Sequence, residues 1–262
     1  MNEIVKIHND FTNTRLSNLT AKELDLLMAI CVKVKNQQDN VISIKFDELQ
    51  RLSNYKQYNL NDLRKDLTKM HQNLIKMFIV TYKDNDGAEV TESLFRQFRK
   101  YDNYLKVQIS DKLLYLLNDL TSNFTTFELQ EFVSLQSKYS KRLYKLLKQY
   151  KSTGQYAVSK NMLYEQLNVP QNYRMCDFKI RVLNPALEEC KIYFKNLSVS
   201  VEKGGRGSAV QGFVFNFDCT QQATKNIKSI KTNKTMTKNK FNQFENKQSY
   251  DIENLEKQLL SN

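Results

Sequence analysis

One order of secondary-structure elements is predicted twice along this chain, and that repetition limits the possible folds more than any other feature. In the first half, residues 20–31 have helical periodicity, and 41–46 alternate as a strand that leads into a short helix. A longer helix follows over 59–74, and a hairpin over 78–98 turns at Asn85-Asp86-Gly87. The first half therefore runs helix, strand, helix, long helix and hairpin.

Capping residues mark the limits of these elements. Thr20 and Glu23 have the spacing of a capping box at the start of the first helix. Asp47 is a good N-cap for the short helix, and Asn59 or Asn61 opens the long one. The other elements of the first half are predicted as a strand over 90–98, a strand over 104–109 and a helix over 110–120.

The second half repeats this order. Its predicted helices cover 127–135, 138–151, 159–167 and 177–194. Its predicted strands cover 156–158, 197–201 and 210–217. Pro185 lies inside the last of these helices, where it either kinks the helix or occupies a new first turn.

A helix-turn-helix followed by a two-stranded wing is the winged-helix arrangement. The sequence therefore predicts a helix-rich α+β fold of two tandem winged-helix domains, residues 1–122 and 123–219. Residues 220–262 differ from both, because 220–240 are rich in Lys, Thr and Asn and lack apolar periodicity. They predict a basic and largely disordered tail, with a short terminal helix as an open alternative.

The charge of the chain indicates an anionic partner. Its 40 Lys and Arg residues outnumber 28 Asp and Glu residues, which leaves a net charge of +12. Nucleic acid and acidic membrane surfaces are the usual partners of such proteins, and a merely soluble basic protein is the alternative. The sequence shows no signal peptide and no run of the ~18 apolar residues that a membrane span needs. We therefore expect a cytoplasmic protein without membrane association.

The first candidate site is the basic helix over 138–151. Its cations mark one face and its apolar residues another, and no acid interrupts the run. The cations are Lys138, Lys141, Arg142, Lys145 and Lys148. A solvated face normally mixes charge signs, so a face of one sign predicts contact with phosphates. A solubilising surface is the alternative.

The second candidate site is the start of the long helix over 177–194. Arg174, Lys179 and Arg181 lie near its beginning and on its outer side. The N-terminal part of a recognition helix reaches base edges, and the arginine fork matches the two acceptors of guanine. An ordinary solvated helix start is the alternative.

The third candidate site is the loop at the tip of the second wing, with Lys203 and Arg206 around two glycines. Glycines allow a close approach of the backbone to DNA, and the cations supply attraction. An ordinary hairpin turn is the alternative. The loop is not a P-loop, because the GxxxxGK[ST] pattern is missing.

Enzymatic function is not indicated. His8 and His71 are isolated, and the sequence has no His-hydrophobe-His, HExxH, EF-hand or GxSxG motif. The four cysteines form no CxxC pair and are expected to be free thiols. We predict a protein that is not an enzyme and that uses neither cofactor nor metal.

Several segments, taken in order, resemble a known family. They are EIVKIHNDF (3–11), LTAKELDLLMAI (19–30), SKYSKRLYKLLKQYKSTG (137–154), LNVPQNYRMCDFKIRVLNPALEE (167–189) and FVFNF (213–217). Together they are similar to the initiator replication proteins of iteron-controlled, theta-replicating plasmids, over residues 3–218. The lysine-rich segment after Cys219 has no place in that pattern.

This resemblance implies a function in replication initiation. Members bind repeated origin sequences as monomers, repress their own promoter as dimers, and act with host helicase or initiator proteins. The first domain would serve dimerisation and DNA backbone contact. The second would read bases through the helix that holds Arg174, Lys179 and Arg181. A winged-helix transcriptional repressor and a basic interaction or membrane-surface protein remain alternatives.

Overall fold

A computed structural model of the protein describes residues 3–13, 16, 19–35, 37, 40–56, 59–118, 120–205 and 209–219. The predictions for Arg206 and for the tail over 220–262 fall outside these residues.

The first half contains four helices and six strands within its described residues. The helices are α1 (Asn9–Asn13), α2 (Ala21–Val34), α3 (Phe46–Leu52) and α4 (Leu60–Leu74). The strands are β1 (Ile4–His8), β2 (Val41–Lys45), β3 (Ile79–Lys83), β4 (Glu89–Ser93), β5 (Phe95–Lys100) and β6 (Tyr104–Ile109). A 3₁₀ helix over Asp111–Leu116 follows β6.

The order of elements then begins again. The helices of the second half are α5 (Leu129–Ser134), α6 (Lys138–Gln149), α7 (Lys160–Leu167), α8 (Met175–Phe178) and α9 (Asn184–Lys191). Its strands are β7 (Phe124–Glu128), β8 (Gln155–Ser159), β9 (Ser198–Lys203) and β10 (Val210–Asn216). A π-helical turn over Lys179–Leu183 joins α8 to α9.

The two halves have the same sheet topology. The first sheet has the order β2-β6-β5 and the second β8-β10-β9, so the last strand of each half is central. Both sheets are antiparallel. In each half, a helix-turn-helix precedes the two-stranded wing. The predicted fold of two winged-helix domains is confirmed. The prediction that the hairpin over 78–98 is the wing of the first half is wrong. Strands β3 and β4 form a separate two-stranded sheet, and the wing is formed by β5 and β6.

Strands β1 and β7 form a separate antiparallel pair that joins the halves, with Val5 opposite Phe127 and Ile7 opposite Thr125. All four of these side chains are buried. One hydrophobic core therefore extends through both halves, and α6 packs against α1 and α2 as well as against β7 and α9.

The N-caps predicted from the sequence are found in the structure at the starts of α2 and α4. The Thr20 hydroxyl accepts from the Glu23 backbone N–H at 3.3 Å, and the Glu23 carboxylate accepts from the Thr20 N–H at 2.7 Å. The Asn59 side chain caps α4 by accepting from the Asn61 N–H at 2.9 Å. The alternative of Asn61 as the cap is thereby excluded.

Several predicted elements have different limits, among them the long helix of the second half, which begins at Met175 and not at Asp177. The predicted helix over 127–135 begins only at Leu129, because residues 124–128 pair with β1. The predicted helix over 110–120 is the shorter 3₁₀ helix, and the predicted strand over 90–98 divides into β4 and β5 at Leu94. Helix α3 begins at Phe46, so Lys45 rather than Asp47 is its N-cap residue.

Candidate nucleic-acid interface

The long helix of the second domain is anchored by one apolar face. The Phe178 ring lies 4.6 Å from the Tyr164 ring of α7 and 5.6 Å from the Phe213 ring of β10, centroid to centroid. Val182, Leu183, Ala186, Leu187 and Cys190 are buried on the same side. These contacts fix the helix against its own domain and determine which side chains face outward.

Pro185 lies in the first turn of α9, directly after the π-helical turn. Proline has no N–H to donate in the regular helical pattern. The Asn184 N–H instead donates to the Lys179 carbonyl, five residues back. Of the two outcomes left open for Pro185, the structure has the new first turn, within a helix that continues through 175–191.

The outward side of this helix carries the predicted cations. Arg174, Lys179 and Arg181 are all exposed, and the Arg181 side chain retains 63% of its accessible surface. The Arg181 Nε lies 3.6 Å from the Asp177 carboxylate, and its guanidinium is 5.7 Å from the centre of the Tyr173 ring. Arg181 is thus oriented while it remains accessible.

The wing of the second domain is formed by β9 and β10. Lys203 ends β9 and is exposed, as predicted for a wing cation. Arg206, its predicted partner in the loop, lies outside the described residues.

The basic helix α6 corrects the first candidate site. Lys141, Arg142 and Lys145 retain only 1%, 3% and 4% of their accessible surface. Lys138 is half-buried, and the Lys148 ammonium pairs with the Glu131 carboxylate at 2.6 Å. The expectation of one exposed basic face is wrong, because groups of the first half bury Lys141, Arg142 and Lys145.

Each buried cation of α6 bonds to a group of the first half, and Arg142 and Lys141 also bond within the second half. The Lys141 ammonium lies 2.6 Å from the Asp25 carboxylate of α2. Arg142 donates to the Leu16 carbonyl at 2.6 Å and to the Leu167 carbonyl at 2.7 Å. The Lys145 ammonium lies 3.5 Å from the Phe11 carbonyl of α1. The helix that was predicted to contact phosphate therefore packs between the two halves of the chain.

Burial shifts the pKa value of each of these groups in the direction that favours its neutral form. Loss of hydration, with the nearby Arg142 charge, lowers the pKa of Lys145 to about 7. Burial also raises the pKa of Asp25 to about 7, although the Lys141 charge acts in the opposite direction. Burial lowers the pKa of Arg142 to about 10. Groups so deeply buried are not available to a phosphate backbone.

The first domain has a basic surface that the sequence predictions did not include among the sites. Helix α4 stands where the recognition helix stands in the second domain, and its Lys65 and Lys69 are exposed. Arg64 donates to the Tyr101 carbonyl at 2.7 Å, at the tip of the β5–β6 wing. Exposed Arg96 and Arg99 follow along β5. The repeated order of elements was the signal that could have identified this surface.

Two other possible sites find no support among the residues that the structure describes. No group of three or more His, Cys, Asp or Glu side chains there could hold a metal ion. None of the described helices is both long enough and apolar enough to cross a bilayer.

Two family models match the chain in tandem. The one described as Initiator Replication protein, WH1 matches residues 4–148, and the one described as Initiator Rep protein, WH2 matches residues 159–217. This chain belongs to the initiator replication protein family. The resemblance seen in the sequence is thereby confirmed. The predicted domain boundary at residue 122 stays a prediction, although the order of elements begins again at β7.

Two individual proteins are similar to this chain, and one of them is named as a replication protein. The probable replication protein rep of Bifidobacterium longum (strain NCC 2705) is 35% identical over 221 residues, which are 82% of this chain and 73% of that protein. An uncharacterized 27.6 kDa protein of Escherichia coli is 30% identical over 86 residues, 32% of this chain and 36% of that protein.

A solved structure has the same fold. The crystal structure of the Pi initiator protein in complex with iteron DNA matches this initiator-family chain with a TM-score of 0.65 and 17% identity. The match covers 84% of this chain and 99% of that chain. At this identity the likeness establishes the shared fold.

Proposed function

We propose that this protein is a plasmid replication initiator that binds direct repeats at its origin. The observation that carries the proposal is the outward face of the recognition helix, where Arg174, Lys179 and Arg181 are exposed together. Family membership supports the replication role, and the structural relative is an initiator bound to iteron DNA.

The two domains would have different roles in binding. The second domain, residues 123–219, would enter the major groove with its recognition helix and read bases, while Lys203 of its wing approaches the backbone. The first domain, residues 1–122, would contact backbone through the basic surface of α4 and serve dimerisation. Displacement of condensed counterions by these cations would supply most of the affinity.

The mechanism would involve no covalent step. Several copies on tandem repeats would bend the DNA and favour the opening of an adjacent AT-rich segment, where a host helicase loads. Binding as a monomer to repeats and as a dimer to its own promoter would combine initiation with autorepression. The partners are double-stranded DNA, a second copy of this chain and host replication proteins.

The test is footprinting of the full-length protein on the DNA upstream of its own gene, at two salt concentrations. We expect several protected segments at a spacing near whole turns of B-DNA, each about 10.5 base pairs. Protection of a promoter alone, without repeats, would indicate a repressor. Binding to acidic vesicles with no preference among DNA sequences would contradict the proposal.

A pair of variants tests the base-reading role of Arg181. Arg181→Ala should cost about 1–3 kcal/mol at one position of the site. Arg181→Lys is the matched control, because it keeps the charge and loses only the planar fork. Both variants should reduce the ratio of specific to random binding, and an unchanged ratio would exclude Arg181 as a reader.

A further inference from the structure

The outward face of the recognition helix also carries an apolar side chain. Ile180 stands between Lys179 and Arg181 and retains 68% of its accessible surface. Burial of a large aliphatic side chain stabilises a folded protein. The exposed Ile180 does not contribute this stabilisation in the free protein. No candidate site derived from charge accounts for it.

The position of Ile180 is held by the packing of the helix. Phe178 lies two residues before Ile180 and Val182 two residues after it, and both side chains are fully buried. Ile180 lies within the π-helical turn, a local geometry that is frequent at functional sites. The rigid anchoring on either side leaves Ile180 directed away from its own domain.

Its surroundings indicate what kind of surface it meets. Arg174, Lys179 and Arg181 are exposed in the same short segment. Cations at this density favour a polyanion over an apolar protein groove, where they would lose hydration without compensation. The apolar group between them must therefore suit a feature of the polyanion itself.

Such a feature exists in the major groove. Of the four bases, thymine alone presents an apolar group there, its C5-methyl, and apolar side chains contact it. We propose that Ile180 contacts the C5-methyl group of one thymine in each bound repeat and so selects thymine at that position. The inference rests on the proposed function and adds a specificity determinant that does not act by hydrogen bonding.

The experiment removes the methyl group from the DNA. In the site defined by footprinting, each thymine is replaced singly by deoxyuridine, which differs only by that methyl, and Kd is measured for each duplex. The unmodified protein should lose about 3- to 5-fold in affinity at one position, the size expected for one buried methyl group. Ile180→Ala should bind the thymine duplex more weakly and show no further loss with deoxyuridine there. The loss of affinity from the Ile180→Ala variant and the loss from the deoxyuridine substitution would then not be additive, which shows that the two groups interact.

Ile192→Ala is the matched control. Ile192 is 75% exposed and follows the end of the same helix, twelve residues or about 18 Å further along. This variant should keep the full deoxyuridine effect.

Two results would overturn the inference while the proposed function stands. One is specific binding with no deoxyuridine effect at any thymine, and the other is a deoxyuridine effect that Ile180→Ala leaves intact. Absence of any sequence preference in the unmodified protein would overturn both proposals.

Discussion

The Lys141 ammonium lies 2.6 Å from the Asp25 carboxylate, and this ion pair joins α6 to α2 across 116 residues of sequence. Lys141 also donates to the Phe132 carbonyl at 2.9 Å. Both charged groups are largely withdrawn from water, so each depends on the other for compensation. The packing of α6 against α2 is thus ionic as well as apolar.

Removal of one partner of this pair should therefore destabilise the protein. Asp25→Ala leaves the Lys141 ammonium buried without its carboxylate, and we expect a loss of about 3–5 kcal/mol in the free energy of unfolding. Urea unfolding at pH 8 measures it. The double variant with Lys141→Met should recover most of the loss, and a loss of less than about 1 kcal/mol in Asp25→Ala would contradict the structure.

Lys145 should make stability depend on pH. Its pKa falls from 10.5 to about 7 on folding. Between these values the unfolded chain binds more protons, so this group makes stability rise with pH. The destabilisation caused by the burial of Lys145 is fully present below about pH 7 and disappears above about pH 10.5.

Lys145→Met should therefore stabilise the protein, because methionine fills the same space without a charge. The gain should be largest at pH 6 to 7 and shrink progressively at higher pH in urea unfolding. Lys65→Met is the control, since that side chain is 79% exposed and should show no such trend. A gain that is independent of pH would place the Lys145 pKa near its ordinary value.

The salt dependence of DNA binding should separate the buried cations from the exposed ones. Lys179→Met removes an exposed cation and should reduce the slope of log K against log salt concentration by about 0.9 if it neutralises one phosphate. Lys145→Met should leave the slope unchanged. Kd values at four or more salt concentrations measure both, and a reduced slope for Lys145→Met would show that α6 reaches DNA.

The capping box of α2 should contribute to stability by itself. Thr20→Ala removes the acceptor for the Glu23 N–H and should cost about 1 kcal/mol in thermal or urea unfolding. Thr20→Ser keeps the hydroxyl and should retain most of the stability. Equal losses in the two variants would assign the effect to packing of the threonine methyl.

Prediction from the sequence succeeded where the signal is local. Helical periodicity and the caps at Thr20 and Asn59 depend on residues a few positions apart, and both starts agree with the structure. Strand β7 was missed because its partner is β1, more than a hundred residues earlier. The five-residue alternation in β7 is too short to outweigh the helical signal that follows it.

Patterns in the sequence predicted most of the elements and the repetition that makes two winged-helix domains. They also predicted the exposed cations Arg174, Lys179 and Arg181 beside the apolar anchors of their helix. These follow from periodicities within single elements. The role of α6 depends instead on contacts between distant parts of the chain. Its cations have the pattern of a solvated or phosphate-binding face, yet α1, α2 and the carbonyl of Leu16 cover them, because groups distant in sequence determine which face of a helix meets water.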